Sequence, residues 1–344
     1  VPMPATHTFA YNGIDRRVNH LSPLNNETTY AYNKNRKLTS ITRPSNKTIT
    51  NTYENDRLVS TSTPEGITSY SYLFADKIGS ITHNTESIKY VYDGELLTSQ
   101  IQQGIFNQTL NYTYNNDFLV TSSTYAGVTT PYTYDNDGLL TESGTFTLTR
   151  DADNGYTTKV TDGTLTQTRE YNNYAEITKV SDNSFTYNLS QRNKVGTITQ
   201  KIETINGVDT RYDYSYDKRG RVTTVSKNSQ IVEEYTYDNN GNRLSATVNG
   251  VTTSAYYTLD DNLEVYGDDT YRYDEDGYLV EVTTPNETKT YSYNTLGALT
   301  QAQTPTKTII YHLNANNQRV AKEVNGIIVE KYLWANLTTL LAVY

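Results

Sequence analysis

Apolar and polar positions alternate along this chain in short runs, and no run holds the i, i+3, i+4, i+7 spacing of a helix for more than about a turn. One pattern keeps returning: an aromatic, any residue, Tyr, Asp or Asn, a short polar stretch that often ends in Gly, then an aliphatic. Clear copies are Tyr214-Ser215-Tyr216-Asp217-Lys218-Arg219-Gly220-Arg221-Val222, Tyr235-Thr236-Tyr237-Asp238-Asn239-Asn240-Gly241 and Tyr271-Arg272-Tyr273-Asp274-Glu275-Asp276-Gly277. Rings at i and i+2 share one face of a strand. The Asx-x-x-Gly segment predicts a turn, because the Asx side chain can bond its own backbone and Gly accepts positive φ. Asn206-Gly207, Asn249-Gly250 and Asn325-Gly326 predict tight hairpin turns at the other end of the unit. Leu279 and Val282 lie three apart, so alternation is imperfect; this predicts a bulge or partial burial of both faces.

Each unit therefore reads as a β-hairpin, and the chain carries about seventeen of them at a period of roughly 20 residues. Aligned on the second aromatic, the anchors run from Tyr11 through Tyr114, Tyr134, Arg150, Tyr171, Tyr187, Tyr216, Tyr237, Leu259, Tyr273, Tyr293 and Leu313 to Trp334. Gaps are short before Arg150, Tyr187 and Tyr273, and long after Tyr187, where residues 195–209 read as an extra segment. The expected fold is all-β: tandem β-hairpin repeats forming a spiralling antiparallel sheet, as a shell or an open strip. It is read as one continuous array over 1–344, with 335–344 as a capping segment. In-register hairpins should stack equivalent Tyr rings repeat upon repeat.

Composition follows from the repeat: 33 Tyr stand against one Trp, one Met and six Phe. Hydrophobic residues reach only 35%, so Tyr rings and Thr methyls must supply apolar contact. The net charge of −9, without an extended basic face, argues against nucleic acid as a partner. No apolar run is long enough for a membrane-spanning helix, so no membrane insertion is expected. There is no Cys, which removes disulfides and thiolate metal sites. The sequence starts at Val1 without a signal-like run and reads as a processed or excised piece.

The Tyr-x-Tyr-Asp-x-x-Gly-Arg-Leu pattern, from Tyr11 to about Trp334, resembles the YD repeats of the Rhs and teneurin-like family. That resemblance implies a hollow β-shell. In bacterial toxin members such a shell encloses a C-terminal toxin; in teneurins it displays surfaces for cell–cell contact. The Asp-Pro-x-Gly-Leu signature that marks self-cleavage in toxin members does not occur, so neither self-cleavage nor toxicity carries over. The implied setting is a secreted or cell-surface bacterial protein. Its implied partners are toxin cargo or other chains of a shell.

Candidate chemistry is sparse. Asp135-Asn136-Asp137-Gly138, Asp151-Ala152-Asp153-Asn154-Gly155 and Asp274-Glu275-Asp276-Gly277 match half of a Ca²⁺ loop, but they occupy the position of every other repeat turn. They read as turns, and no metal or cofactor is expected. His83 and His312 break the repeat and are the candidate catalytic residues under an enzyme reading. His20, Trp334, Arg16 and Arg17 are candidate ligand-binding residues: a Trp face suits a sugar ring, and paired Arg suit a carboxylate or sulfate. Tyr114, Tyr134, Tyr216, Tyr237, Tyr273 and Tyr293 are read as structural repeat residues. Three functions compete: a shell segment enclosing or presenting cargo, an extracellular glycan or cell-surface binding module, and a polysaccharide lyase using Tyr, His and Arg in a concave groove. The first is favoured and catalysis is not expected.

Overall fold

The alternating runs form strands, and the polar stretches between them form turns at a regular beat. The computed structural model describes residues 6–74 and 76–344. Among these there is no helix, and thirty-four strands run from β1 (Thr8–Tyr11) to β34 (Leu340–Val343) in one antiparallel sheet. Neighbours in sequence pair with each other, as in β1 with β2 (Arg17–Leu21) and β23 (Gln230–Tyr237) with β24 (Arg243–Val248). Within 335–344, Leu340–Val343 form the last strand, which pairs with β33 (Ile327–Trp334).

The expected bulge is present, and it is part of the repeat. Register shifts immediately before the anchor at Ala10/Tyr11, Thr52/Tyr53, Thr133/Tyr134, Ser215/Tyr216, Thr236/Tyr237 and Leu333/Trp334, among others. A bulge leaves one carbonyl out of the ladder. The anchor of the next repeat supplies the missing donor. Tyr32 Oη donates to Arg17 O, Tyr53 Oη to Leu38 O and Tyr72 Oη to Leu58 O. Tyr134 Oη reaches Val120 O, Tyr171 Oη reaches Thr157 O, and Tyr237 Oη reaches Val222 O at 2.7 Å. The acceptor lies opposite the preceding anchor, as Arg17 faces Tyr11, Leu38 faces Tyr32, Leu58 faces Tyr53 and Val222 faces Tyr216.

This geometry corrects two anchors. Tyr187 sits early in β19 (Phe185–Arg192); the bulge and the donor both fall at Arg192, whose guanidinium reaches Ile177 O at 2.9 Å. Leu259 lies within a turn, and the strand before it ends at Tyr257. Arg150 keeps its place, donating to Leu140 O. The expected ring stack is also replaced. Tyr–Tyr ring contacts occur at Tyr156–Tyr171 and Tyr278–Tyr293, but the link that recurs between anchors is hydroxyl to carbonyl. The opposite face carries hydroxyl rungs: Ser71–Ser80, Thr113–Thr121, Thr133–Thr141 and Thr236–Ser245.

Turn chemistry follows the residues. Asp135 Oδ1 accepts from the N–H of Asp137 and Leu139, and Asp217 Oδ1 from those of Arg219 and Arg221. Those bonds, first that from Arg221, hold the Asp217 carboxyl below the usual range. At the opposite end, Asn249 and Gly250 have φ of 49° and 82°, the left-handed pair that an Asn-Gly hairpin turn requires.

By packing, the chain forms two units. One comprises Val1–Tyr112, Tyr125–Gly127 and Tyr256–Tyr344; the other comprises Thr113–Thr124 and Val128–Ala255. The second unit is a lean sheet whose fully buried residues, among those described, are Ser123, Val225, Ala246 and Ala255. The first has a true core, with Ile88, Gln102, Leu110, Val320 and Leu333 at most 1% exposed.

Two expectations follow. Tyr237→Phe keeps the ring but removes the donor to Val222 O, and should cost about 1 kcal/mol in urea denaturation. Tyr237→Ala should cost more, because the Arg221 guanidinium 4.5 Å from the ring centre also loses its partner. A Phe variant as stable as the parent would exclude the hydroxyl link. Burial pushes many phenols upward, including Tyr53, Tyr134, Tyr216, Tyr273 and Tyr293. The Glu233 carboxylate, bonded to Tyr235, pushes that phenol to about 12. The unfolded chain ionises near pH 10. The folded chain thus holds more protons above that pH, and stability should fall from there as pH rises through the folded values. Absorbance at 295 nm should show phenol ionisation, and far-UV circular dichroism the loss of β-sheet, together in that window.

Candidate functional site

In the first unit, hairpins early in the chain meet hairpins late in the chain, turn against turn. Ser22 Oγ donates to Asp260 Oδ2 at 2.9 Å. Ser45 donates to Asp276 through its backbone N–H at 3.0 Å and its hydroxyl at 2.7 Å. Glu65 Oε1 accepts from both the N–H and the hydroxyl of Thr295, each at 2.9 Å. These are three successive stitches, each advancing one hairpin on both sides. Desolvation pushes the Glu65 carboxyl up, but hydrogen bonds from Thr295 and Thr63 outweigh it and hold the group below the usual range. Arg43 adds a cation over the Tyr278 ring at 5.6 Å.

The fourth step breaks the rule. The turn due to meet the 314–318 turn is His83-Asn84-Thr85-Glu86, between β8 (Ile78–His83) and β9 (Glu86–Asp93). Instead, Asn316 Nδ2 donates to Tyr90 Oη, and Asn314 Nδ2 to Gln102 Oε1, from within the strands. The fifth step is closed by Gln100 Nε2, which donates to Trp334 O, and by Phe106 edge-on to Tyr344. Between the third and fourth stitches lies a cleft of about 690 Å³, lined by Glu65, His83, Glu86, Gly104, Tyr311 and His312 among others.

The cleft brings together His83 and His312, which the sequence places far apart. His83 is held at both nitrogens: Nδ1 lies 3.0 Å from Thr68 Oγ1, and Nε2 lies 3.1 Å from Asn84 Nδ2. His312, in β31 (Thr308–Leu313), bonds Glu323 Oε2 through Nε2 at 2.9 Å. Glu65, Glu86 and Glu323 were not distinguishable in sequence. The one available signal was that the 83–86 turn lacks the Pro that the three turns before it carry at Pro23, Pro44 and Pro64.

The other candidates lie elsewhere. His20 stacks on Phe9 at 4.7 Å and lies 3.0 Å from His7, and burial, His7 and Arg17 together keep its pKa low. Arg17 donates to Tyr30 Oη and lies over that ring at 4.5 Å. Arg16 serves its turn through its backbone N–H to Asn12. Trp334 acts as an anchor, its Nε1 donating to Arg319 O at 2.7 Å. It also lines an apolar cleft of about 410 Å³ with Tyr332 and Leu340. The acidic turns spend their oxygens on N–H groups, and among the described residues no three His, Cys, Asp or Glu are grouped to hold a metal.

The repeat, its bulge and its turns now permit comparison with known proteins. The family model Teneurin YD-shell matches residues 1–343. This chain belongs to that family. Teneurin-4 of Mus musculus is 29% identical over 214 residues, which is 57% of this YD-shell chain and 8% of the relative. The tRNA3(Ser)-specific nuclease WapA of Bacillus spizizenii is 30% identical over 136 residues, covering 37% of this chain and 5% of its own length. This chain thus spans a small fraction of the relatives it matches. Among solved structures, TcdB2-TccC3 without its hypervariable C-terminal region covers 98% of the YD-shell chain, with a TM-score of 0.59 and 12% identity. That chain is matched over 22% of its length. The Photorhabdus luminescens Tc holotoxin pore gives 0.54 at 12% identity over 95% of the chain. At these identities the likeness is one of fold.

The stitches carry a stability expectation. Asp276→Ala removes the acceptor for two Ser45 donors and should cost about 1.5–3 kcal/mol. Asp137→Ala, at the equivalent turn position in the second unit, should cost under about 0.5 kcal/mol. Equal losses for the two variants in thermal or urea denaturation would show that the Asp276 stitch contributes nothing.

Proposed function

We propose that this YD-shell segment is a structural wall of a secreted or cell-surface bacterial protein and encloses or presents cargo. The observation that carries this reading is the row of stitches, which covers the turn edge of one run of hairpins with that of another. A strip that only displayed a face would not need its edge sealed. The solved TcdB2-TccC3 fold supports the same reading by likeness. On this reading 1–344 acts as one continuous array, and its partners are cargo or other chains of the shell.

A second reading, contact with a glycan or another cell surface, is favoured by Trp334 and Tyr332 in their apolar cleft. The lyase alternative gains little from His83, since both of its nitrogens are already engaged.

The test uses the longest natural polypeptide that carries this chain. A photo-crosslinking residue replaces Tyr216 in one protein and Ser215, on the opposite face, in another. Enclosure predicts crosslinks to other parts of the polypeptide or to cargo from one position only. Crosslinks from both positions alike, or from neither, would remove the shell reading. With the 344-residue chain alone, quenching of its single Trp by an acidic polysaccharide would promote the second.

A further inference from the structure

We propose that the cleft between the third and fourth stitches binds an alkylammonium group, such as that of a lysine side chain or a free amine. This proposal stands independently of the shell reading.

Its first support is the break in the pattern. Three consecutive turns meet their partners through Ser22, Ser45 and Glu65, while the next turn faces an opening. Sites that violate a rule obeyed by their neighbours are where function is expected. The second is Glu86, which is only 9% exposed. Its Oε1 accepts from Ile105 N–H at 2.8 Å, but Oε2 is buried with no partner. A buried carboxylate oxygen without a donor is costly, so it marks a place where a donor is due.

Gly104 lets its backbone pack closely against that carboxylate without displacing it. It has φ of 138°, and a Cβ there would fall 2.2 Å from the Glu86 carboxylate. Only bare backbone can lie beside that group. Glu65 brings a second carboxylate to the lining. The imidazoles add an acceptor. His312 gives Nε2 to Glu323, and its Nδ1 has no partner among the described residues. The cleft is therefore rich in acceptors and negative charge, which calls for a cation with several N–H donors; an ammonium has three. A divalent metal is the poorer fit, since it wants a compact set of ligands, and among the described residues no such group of three exists. The volume of about 690 Å³ suits a side chain or small amine.

The whole chain is titrated calorimetrically with n-butylammonium, with the peptide Gly-Lys-Gly blocked at both termini, and with that blocked peptide acetylated also at the lysine Nζ. Saturable binding of the charged probes without the acetylated one is expected. Binding of the peptide alone would assign the group to a polypeptide, and binding of both to any alkylamine. Glu86→Gln should weaken binding at least about tenfold while circular dichroism confirms the fold. Thr300→Lys places an internal ammonium at the cleft and should abolish binding, which decides the matter if the Glu86 variant fails to fold. Equal binding of the acetylated peptide, no binding of either charged probe at millimolar concentration, indifference to Thr300→Lys, or displacement by Ca²⁺ would each overturn the proposal.

Discussion

The donation that recurs from anchor side chains to the bulged carbonyl of the preceding hairpin is the bond on which the rest depends. A bulge aims the anchor inward but leaves a backbone acceptor unmet. Tyr meets it with a hydroxyl at the end of a rigid ring, so one residue fills the face, bridges two repeats and satisfies the backbone. This explains why Tyr outnumbers Phe so heavily: Phe could pack but could not donate. It also explains why Arg150, Arg192 and Trp334 substitute without breaking the strip. Each offers an N–H at a similar reach.

The same logic separates what was legible in the sequence from what was not. Strands, turns, the bulge and the repeat count are local, and period and turn chemistry encode them directly. Tyr187 and Leu259 misled because alignment followed ring and aliphatic character, whereas the constraint acts on a donor next to a turn. Arg192 meets that constraint and looks nothing like an aromatic. Ring stacking was expected because equivalent residues recur. The bulge instead brings each hydroxyl to a carbonyl.

The candidate site was only partly legible. His83 and His312 stood out as departures from the repeat, and the cleft unites them. Glu65 did not, because its role depends on turns meeting across more than two hundred residues of sequence; Glu86 did not, because its role depends on how the next hairpin's turn, 19 residues on, lies against it. Nothing in one hairpin encodes which distant hairpin it faces. Trp334 was read as a ligand-binding residue, and its indole N–H is committed to the ladder.

The stitches also bear on how the chain reaches its structure. Every strand pairing links sequence neighbours, so hairpins can zip without waiting for distant parts. Each stitch instead closes a loop of some 230 residues, at an entropic cost on the order of 5 kcal/mol for the first to form. Later stitches close almost no new loop and should follow cheaply once one holds. The first unit should therefore assemble last and all at once, and under strain or chaperone action it should part along the same line. Glu65, Ser45 and Ser22 then act as a latch whose release leaves the hairpins themselves intact.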